Sequence, residues 1–326
     1  MKIGIVGLGS MGAQHLEGLA KLSGVEVAAV GTRDARARSG DLRHIGGNLK
    51  REGLVHDFSN VRPYEKWQDL IADPELDAVD LCLPTDMHAE VSMAALEAGK
   101  HVLCEKPMAL RAADCDAMLS AANRNRRVLM IGHVLRFWPE FLMLSEFLKE
   151  RGRDRVTSAI FRRHCEVPNW SRWLTDETRS GGAVLDMLIH DIDQALLLFG
   201  SPARVLAQSM GPVDTARIAL EYDSGLQVHI EGGWFPPPLP FAMSFEVSAA
   251  GERMRYDDDG LHLGERAMVV PKADAYAAEL AYFAECCREN RAPARCLPED
   301  SARAVKLALL LKQSSDEDGR CLPCDL

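Results

Sequence analysis

The sequence predicts an α/β protein with an N-terminal, doubly wound parallel sheet and a C-terminal α+β domain whose sheet is open and largely antiparallel. Three observations support this prediction. The chain has 326 residues, more than the roughly 250 to 300 at which a single hydrophobic core stops growing. Strand-like and helix-like segments alternate up to about residue 132, and long alternating strands dominate afterwards. We place the boundary after residue 124, which gives domains 1–124 and 125–326.

The N-terminal elements follow one another in strand–helix order. A basic, helix-like segment follows the second strand, and several strands are apolar on both faces, as expected when helices cover both sides of a sheet. This alternation predicts βαβ units and a parallel sheet. The predicted strands are KIGIV, VEVAAV, LVHDF, DAVDLCL, HVLC and VLMIG, and the predicted helices are 11–21, 64–72, 87–98 and 112–123.

The C-terminal elements are mostly strands. Asp223, Ser224 and Gly225 form a hairpin turn signal between two of them, which favours a mixed or antiparallel sheet. A helical stretch at 182–199 separates the first two strands, and helices at 274–289 and 298–313 end the chain. The predicted strands are VTSAIFRRH, RVLAQSM, ARIALEY, LQVHIEGGW and FAMSFEVSA.

Composition and charge restrict the possible partners. The chain is 47% apolar and 26% charged, as in ordinary globular proteins. Its formal net charge of -10 excludes a broad basic field for nucleic acid or anionic lipid. The glycine-interrupted N-terminus reads as a strand rather than a signal peptide, and no run approaches the roughly 20 apolar residues of a membrane helix. We expect a soluble protein that binds neither nucleic acid nor membranes.

The cysteines indicate a reducing environment. Nine of them are scattered along the chain, an odd number that does not resemble the disulfide framework of short secreted proteins. We therefore expect a cytoplasmic location. Cys321 and Cys324 have the spacing of a metal or redox pair, but no second pair or histidine lies nearby in the sequence. We predict no metal, and whether this pair has a role stays open.

A glycine-rich turn directly follows the first predicted strand and opens a helix. The first glycine permits the tight turn, the second lets the backbone approach a pyrophosphate, and the third lets helix and strand pack closely. The helix N-terminus adds N–H donors and a partial positive charge. The pattern predicts a dinucleotide site formed by Gly7, Leu8, Gly9, Ser10, Met11 and Gly12.

The end of the second strand indicates which dinucleotide binds. NAD sites usually place an acidic residue there to accept from the ribose 2′-hydroxyl. This chain has Gly31 followed by Thr32 and Arg33, a hydroxyl and a cation suited to a 2′-phosphate, so NADP is favoured over NAD. The alternative is that Arg33 is a solvated cation and Asp34 an N-cap.

Several segments together resemble one protein family. DAVDLCLPTDMHAEVSMAALEAGKHVLCEKPMAL, at 77–110, is similar to the Gfo/Idh/MocA oxidoreductases, named for glucose-fructose oxidoreductase, inositol dehydrogenase and a rhizopine-catabolism protein. Further similar segments are LRFWP at 135–139 and GGAVLDMLIHD at 181–191. The resemblance implies a Rossmann domain followed by an open-faced sheet domain that covers the nicotinamide and commonly forms a homodimer or homotetramer. Cofactor contacts carried over from it are Leu83, Pro84, His88, Glu105 and Lys106.

The resemblance also implies that Lys106, Asp186 and His190 form the catalytic set. Lys106 follows a predicted strand, where ligands of parallel sheets bind. Asp186 and His190 are four residues apart on a predicted helix, so both side chains would project from one face. Oxidation of an alcohol needs a base and a cation beside the developing alkoxide. We predict that His190 is the base, that Lys106 is the cation, and that Asp186 holds the substrate hydroxyl or orients the imidazole.

The expected activity is NAD(P)-dependent oxidoreduction at a carbon–oxygen centre of a sugar, inositol or related polyol. Two alternatives remain: a hydrolase or lyase that oxidises its substrate transiently with a tightly held NAD, and a non-enzymatic dinucleotide-sensing regulator. We expect His133 and Arg136 to be architectural or cofactor-adjacent. Candidate substrate contacts, with a packed loop as the alternative, are Arg163, Trp170, Arg172 and Trp173.

Overall fold

The computed structural model describes residues 1–47, 55–211 and 213–326. These residues form two compact units, one made of 1–134 and 274–301 and the other of 135–273 and 302–326. Within the described residues, every helix is too short or too polar to serve as a membrane span. The cysteines there form no disulfide.

The strands belong to two sheets. The first sheet has six described strands and the second has nine. In chain order the strands are β1 (Lys2–Val6), β2 (Glu26–Gly31), β3 (Arg62–Tyr64), β4 (Ala78–Leu81), β5 (His101–Glu105), β6 (Leu129–Gly132), β7 (Val156–Glu166), β8 (Arg204–Ser209), β9 (Thr215–Glu221), β10 (Gln227–Phe235), β11 (Ala242–Ala249), β12 (Glu252–Asp257), β13 (Gly260–Leu263), β14 (Arg266–Ala267) and β15 (Leu322–Pro323).

Helices connect the strands of the first sheet and lie between those of the second. Asp34 and Asp274 each cap a helix N-terminus by accepting backbone N–H groups, which satisfies donors that the first turn leaves unpaired. The described helices are α1 (Ser10–Leu19), α2 (Ala35–Arg38), α3 (Trp67–Ile71), α4 (His88–Glu97), α5 (Ala112–Asn125), α6 (Pro139–Arg151), α7 (Glu177–Ser180), α8 (Gly182–Asp186), α9 (Ile189–Phe199), α10 (Ala275–Glu289) and α11 (Pro298–Asp316).

The first sheet is parallel and doubly wound. Its strand order is β3-β2-β1-β4-β5-β6, which reverses direction between β1 and β4. All residues of β4 and β6 are buried, as expected for strands covered on both faces. This arrangement confirms the predicted fold of the N-terminal part and brings the carboxyl ends of β1, β2, β4 and β5 to one edge.

The second sheet is mixed and mostly antiparallel. Its order is β14-β13-β12-β11-β7-β10-β9-β8-β15, and β7 and β10 are the parallel pair. The predicted hairpin turn joins β9 to β10, which pair antiparallel. Buried residues alternate with partly or fully exposed ones from Ala216 onward in β9 and from Ala159 onward in β7, so one face of the sheet is packed and the other is open.

The structure differs from the predicted boundaries in two places. Strand β6 pairs with β5, and α10 packs on α1, so the first unit extends to residue 134 and includes 274–301 rather than ending at 124. The predicted strand LVHDF is absent from its described part, 55–58, where Val55 makes an isolated bridge to Asp41. Leu54 lies outside the described residues. The third strand of the sheet is instead β3.

Candidate active site

The glycine turn between β1 and α1 has the geometry that a pyrophosphate requires. Gly7 has φ +94°, and a Cβ there would lie 2.3 Å from the carbonyl oxygen of Cys82. At Gly12 a Cβ would lie 1.9 Å from the carbonyl oxygen of Gly7. Side chains are therefore excluded at both positions, one by the backbone conformation and both by lack of space.

Gly9, unlike Gly7 and Gly12, faces open space. A Cβ placed there would meet no heavy atom within 4 Å, so packing of the protein does not explain the missing side chain. Gly9 is the N-cap of α1, and no side chain caps that helix end. The turn thus offers N–H groups beside a space without side chains, and the residues present fit a dinucleotide phosphate.

The end of β2 presents basic and hydroxyl groups. Arg33 is exposed, and the Nη1 atom of Arg38 donates to the carbonyl oxygen of Thr32 at 2.5 Å. Asp34 caps α2, and its Oδ2 atom lies 2.5 Å from Nε2 of His44. The hydrogen bond from His44 holds the pKa of Asp34 below its ordinary value, against the effect of burial. Sequence analysis missed Arg38, which returns to the strand end from the helix.

The segment after β4 lies against the glycine turn. Leu83 has a methyl carbon 3.3 Å from the position that a Cβ of Gly7 would take. His88 is fully buried, with Nδ1 2.7 Å from the carbonyl oxygen of Pro107 and Nε2 2.9 Å from that of Leu83. Burial lowers the pKa of His88. His88 therefore connects the segment after β4 to the segment after β5 through these two contacts. Pro84 immediately precedes the short 3-10 turn Thr85–Met87.

Glu105 and Lys106 stand where β5 ends. Glu105 is 6% exposed, and its Oε2 atom accepts the backbone N–H of Lys106 at 3.1 Å. Its Oε1 atom lies 3.0 Å from Nε2 of His15. The carboxylate therefore faces into the unit, whereas Lys106 is partly exposed.

In the second unit, Asp186 and His190 are distinguished by their exposure. Among residues 180–196 these two side chains are partly exposed and all the others are buried. The predicted helix 182–199 is interrupted between Asp186 and His190, because Met187 and Leu188 form a turn that separates α8 from α9. The expectation that one continuous helix carries both residues was therefore wrong.

Two buried ion pairs hold the first turns of α9 in place. Arg163 donates to both carboxylate oxygens of Asp191, at 2.7 and 3.1 Å. Arg136 donates to both oxygens of Asp193, at 2.9 and 2.6 Å. All four side chains are nearly inaccessible. The guanidinium of Arg136, expected to be architectural or cofactor-adjacent, is thus bonded to Asp193, and that of Arg163, a candidate for substrate contact, is bonded to Asp191.

Asp214 fixes the start of α8. Its carboxylate accepts the N–H of Ala183 at 2.6 Å, and burial raises its pKa, with the charge of Asp186 acting in the same direction. Lys312 donates to the carbonyl oxygen of Gly181 at 2.6 Å. Sequence analysis missed both residues, since each meets α8 from a distant part of the chain.

The remaining substrate candidates lie between β7 and α7. Arg172 is exposed, and Trp170 and Trp173 are partly exposed. The carbonyl oxygen of Arg172 accepts the hydroxyl of Thr175 at 3.2 Å. Their exposure leaves all three available to a ligand.

A polar cluster under the glycine turn was missed by sequence analysis. The ring of His15 lies between Asp80 and Glu105, and ligand atoms of His15, Asp80 and Cys82 lie within 4.8 Å of one another, close enough for a metal ion. The available signal was Asp80, a carboxylate inside an apolar strand. Burial raises the pKa of the Cys82 thiol to about 12, which disfavours the thiolate that metal binding needs.

Family models match both parts of the chain. The model described as "Oxidoreductase family, NAD-binding Rossmann fold" matches residues 1–133, and the GFO/IDH/MocA C-terminal domain model matches residues 146–253. A doubly wound domain with a dinucleotide turn, followed by an open sheet, defines a class of nicotinamide-dependent oxidoreductases. This chain belongs to the GFO/IDH/MocA oxidoreductase family, which confirms the resemblance seen in the sequence.

Individual relatives agree with this family. Myo-inositol 2-dehydrogenase of Thermotoga maritima is 33% identical over an alignment covering 69% of this chain and 66% of that protein, just under two thirds of its length. D-xylose 1-dehydrogenase (NADP(+)) 2 of Haloferax volcanii is 27% identical, covering 97% of this chain and 98% of that protein. The crystal structure of a probable dehydrogenase from Thermotoga maritima has a TM-score of 0.80 at 25% identity, covering 99% of this chain and 98% of that one.

Proposed function

We propose that this chain transfers a hydride between a nicotinamide cofactor and a carbon–oxygen centre of a sugar, an inositol or a related polyol. The names of the two curated relatives, which refer to myo-inositol and D-xylose, support this substrate class. The observation that carries the proposal is the pair Asp186 and His190, because both stay partly exposed within a stretch that is otherwise buried. An accessible carboxylate and imidazole on a rigid support suit proton transfer at a substrate hydroxyl.

The proposed mechanism assigns one task to each residue. Bound nicotinamide supplies the hydride chemistry. His190 takes the proton of the substrate hydroxyl, since imidazole accepts protons near neutral pH. The ammonium of Lys106 stabilises the charge that develops on the alkoxide oxygen. Asp186 accepts a substrate hydroxyl or orients the imidazole, and the bonds of Arg163 and Arg136 to α9 limit movement of the helix that carries His190.

Substitution of Lys106 tests the mechanism. We expect Lys106→Ala to lower kcat on the order of 10²- to 10³-fold, the usual cost of removing a group that stabilises an oxyanion. Cofactor Kd should change far less than kcat, because Lys106 is one of several expected cofactor contacts. Lys149→Ala is the matched control, because Lys149 is a 75% exposed lysine on α6. Wild-type turnover by Lys106→Ala would contradict the mechanism.

The substrate class requires a separate assay. Inositols, polyols and aldoses are each incubated with NAD and with NADP, and nicotinamide absorbance is followed. A net absorbance change with one group of compounds supports the proposed reaction. Product formation without net change, with cofactor retained after denaturation, would point instead to transient oxidation by a hydrolase or lyase.

We also propose that NADP is preferred to NAD. Arg33 is exposed at the end of β2, and the guanidinium of Arg38 reaches the same strand end at Thr32. Asp34, the nearby acidic residue, is bonded to His44 and to its own helix. Two guanidinium groups with a hydroxyl favour a phosphate over a neutral ribose.

The preference is measured with Arg33→Ala and Arg38→Ala. Each variant should weaken NADP binding on the order of tenfold to a hundredfold, the cost of a lost charge-assisted hydrogen bond, and change NAD binding little. Arg36→Ala is the control, since the guanidinium of Arg36 pairs with Asp41. Equal weakening of NAD and NADP would refute the assignment.

Two further proposals concern the state of the protein in the cell. We propose a homodimer or homotetramer formed through the second sheet, because that sheet leaves one face open. Size-exclusion chromatography with light scattering measures the assembly, and a monomer at micromolar concentration would refute it. The cysteine thiols support a reducing, cytoplasmic location.

A further inference from the structure

The first unit buries several ionisable side chains beneath its glycine turn. His15 comes from α1, Asp80 from β4, Glu105 from β5 and Glu279 from α10, and their exposures are 0%, 0%, 6% and 0%. Burying charges is costly unless they are paired. Packing alone therefore does not explain why these ionisable side chains are buried together.

The imidazole of His15 is held on both sides by carboxylates. Its Nδ1 atom lies 2.9 and 3.1 Å from the two oxygens of Asp80, and its Nε2 atom lies 3.0 Å from Oε1 of Glu105. A neutral imidazole carries one N–H group and would leave the other nitrogen facing a carboxylate lone pair. Both contacts are favourable when the ring carries two protons. Burial lowers the pKa of His15, but the charges and hydrogen bonds of Asp80 and Cys82 together outweigh burial, and the pKa lies well above its ordinary value.

Glu105 connects this ring to the end of β5. One of its oxygens faces His15, and the other accepts the backbone N–H of Lys106 at 3.1 Å. Gly132 of the neighbouring strand lies beside this carboxylate, since a Cβ there would reach ordinary contact distance, 3.4 Å, from Oε1 of Glu105. Burial raises the pKa of Glu105, yet the polar contact with His15 and the charges of His15 and Lys106 act in the opposite direction, and the pKa is lowered. The carboxylate is thus an anion held at two points.

We propose that His15 is a positioning residue for Lys106 and acts through the carboxylate of Glu105. Asp80 fixes the position of His15. Glu105 contacts the imidazole of His15 and accepts the backbone N–H of Lys106, so it fixes the backbone of the residue that carries the ammonium group. The inference rests on the proposed function, because it takes Lys106 as the cation beside the alkoxide. Displacement of a catalytic group by a fraction of an ångström is enough to reduce turnover.

The other groups that face His15 do not disrupt its contacts with Asp80 and Glu105. Cys82 has its sulfur 3.5 Å from Nδ1, and its raised pKa keeps it a neutral thiol. From α10, the ring of Tyr276 lies 6.3 Å from the imidazole, and burial keeps Glu279 protonated by raising its pKa. The direct bond from His15 to Asp80 takes the place that a metal ion would occupy between them.

A double-mutant cycle with Lys106 tests the proposal. His15→Gln should lower the single-turnover rate of hydride transfer on the order of 10²-fold, with cofactor Kd unchanged. The same substitution in a Lys106→Ala background should cause no further loss, because the effect passes through Lys106. Equal losses in both backgrounds, or none in the first, would overturn the inference while leaving the proposed function standing. An unaffected rate in Lys106→Ala alone would remove both.

Two companion variants test whether the loss in His15→Gln comes from misfolding or from a general effect of replacing a histidine in this unit. Glu105→Gln keeps the shape of the side chain and should reproduce the loss caused by His15→Gln. His101→Gln is the matched control, because His101 is a partly exposed histidine of the same sheet that accepts the N–H of Val128 at 3.0 Å. Wild-type hydride transfer by a folded Glu105→Gln variant, or a loss in the control as large as in His15→Gln, would overturn the proposal.

Spectroscopy of the wild-type protein gives a readout that does not depend on activity. Nitrogen NMR of labelled histidine should find both ring nitrogens of His15 protonated at a pH well above 6.5, the ordinary imidazole pKa. A single protonated nitrogen that titrates near that value would overturn the inference. So would a stoichiometric metal ion in the purified protein that is lost in His15→Gln.

Discussion

Buried Glu279 lowers the stability of the folded protein as the pH rises, and one substitution should remove this effect. Its side chain is fully buried and neither carboxylate oxygen has a hydrogen-bond partner among the described residues. Burial raises the pKa of Glu279 well above the ordinary value of 4.5, and the negative charges of Glu105 and Asp80 act in the same direction. The folded protein therefore keeps a proton that the unfolded chain loses as the pH rises.

The sign and size of the effect follow from this linkage. Below the ordinary pKa both states are protonated and the cost is absent. Above it, each pH unit lowers the free energy of unfolding by about 1.4 kcal/mol until the pH reaches the raised pKa of the folded state. Residue 279 does not titrate in Glu279→Gln, so the stability of this variant relative to wild type should grow by about 1.4 kcal/mol per pH unit over the same interval.

Urea denaturation at a series of pH values measures this difference. The two proteins are compared on the unfolding transition of the unit that contains α10. Glu285→Gln is the control, since Glu285 is an exposed carboxylate on the same helix and its ion pair with Arg291 is worth about 1 kcal/mol or less. A difference between Glu279→Gln and wild type that does not change with pH would show that Glu279 is ionised in the folded protein.

The remaining predictions concern the glycine turn and a buried ion pair. Gly9→Ala should fold normally and bind the cofactor at least about tenfold more weakly by calorimetry, because the added methyl group enters open space facing the phosphate. Gly12→Ala should instead lose several kcal/mol of stability through the clash with the backbone, and normal stability would refute the packing argument. Asp193→Ala should lower the free energy of unfolding by about 3 to 5 kcal/mol in denaturant, since the buried guanidinium of Arg136 would lose the carboxylate of Asp193; Asp258→Ala, on an exposed turn, should stay within about 0.5 kcal/mol of wild type.

Local interactions explain why the dinucleotide turn could be predicted. Gly7 has a positive φ and Gly12 packs against the carbonyl oxygen of Gly7 in the same turn, and the spacing of these glycines appears directly in the sequence. The same holds for the cap formed by Asp34, whose backbone N–H donors lie within three residues. Such features require no knowledge of distant segments.

Helix continuity was harder to predict because tertiary contacts override local preference. Residues 182–199 have a helical pattern throughout, yet the chain turns at Met187 and Leu188. Asp214 bonds to the start of α8, and Asp191 in the first turn of α9 pairs with Arg163. Partners from two distant parts of the chain thus contact two short helices that helix propensity alone would join.

The amino-acid order by itself determined the alternation of strands and helices, the glycine turn and the family to which the chain belongs. These properties depend on side-chain periodicity and on backbone conformations allowed within a few residues. Tertiary structure decided which charges are buried together: His15 meets Asp80 and Glu105 only because α1, β4 and β5 pack side by side. Pairing between groups far apart in sequence depends on distances in the folded chain, and those distances also set the protonation states of the buried groups.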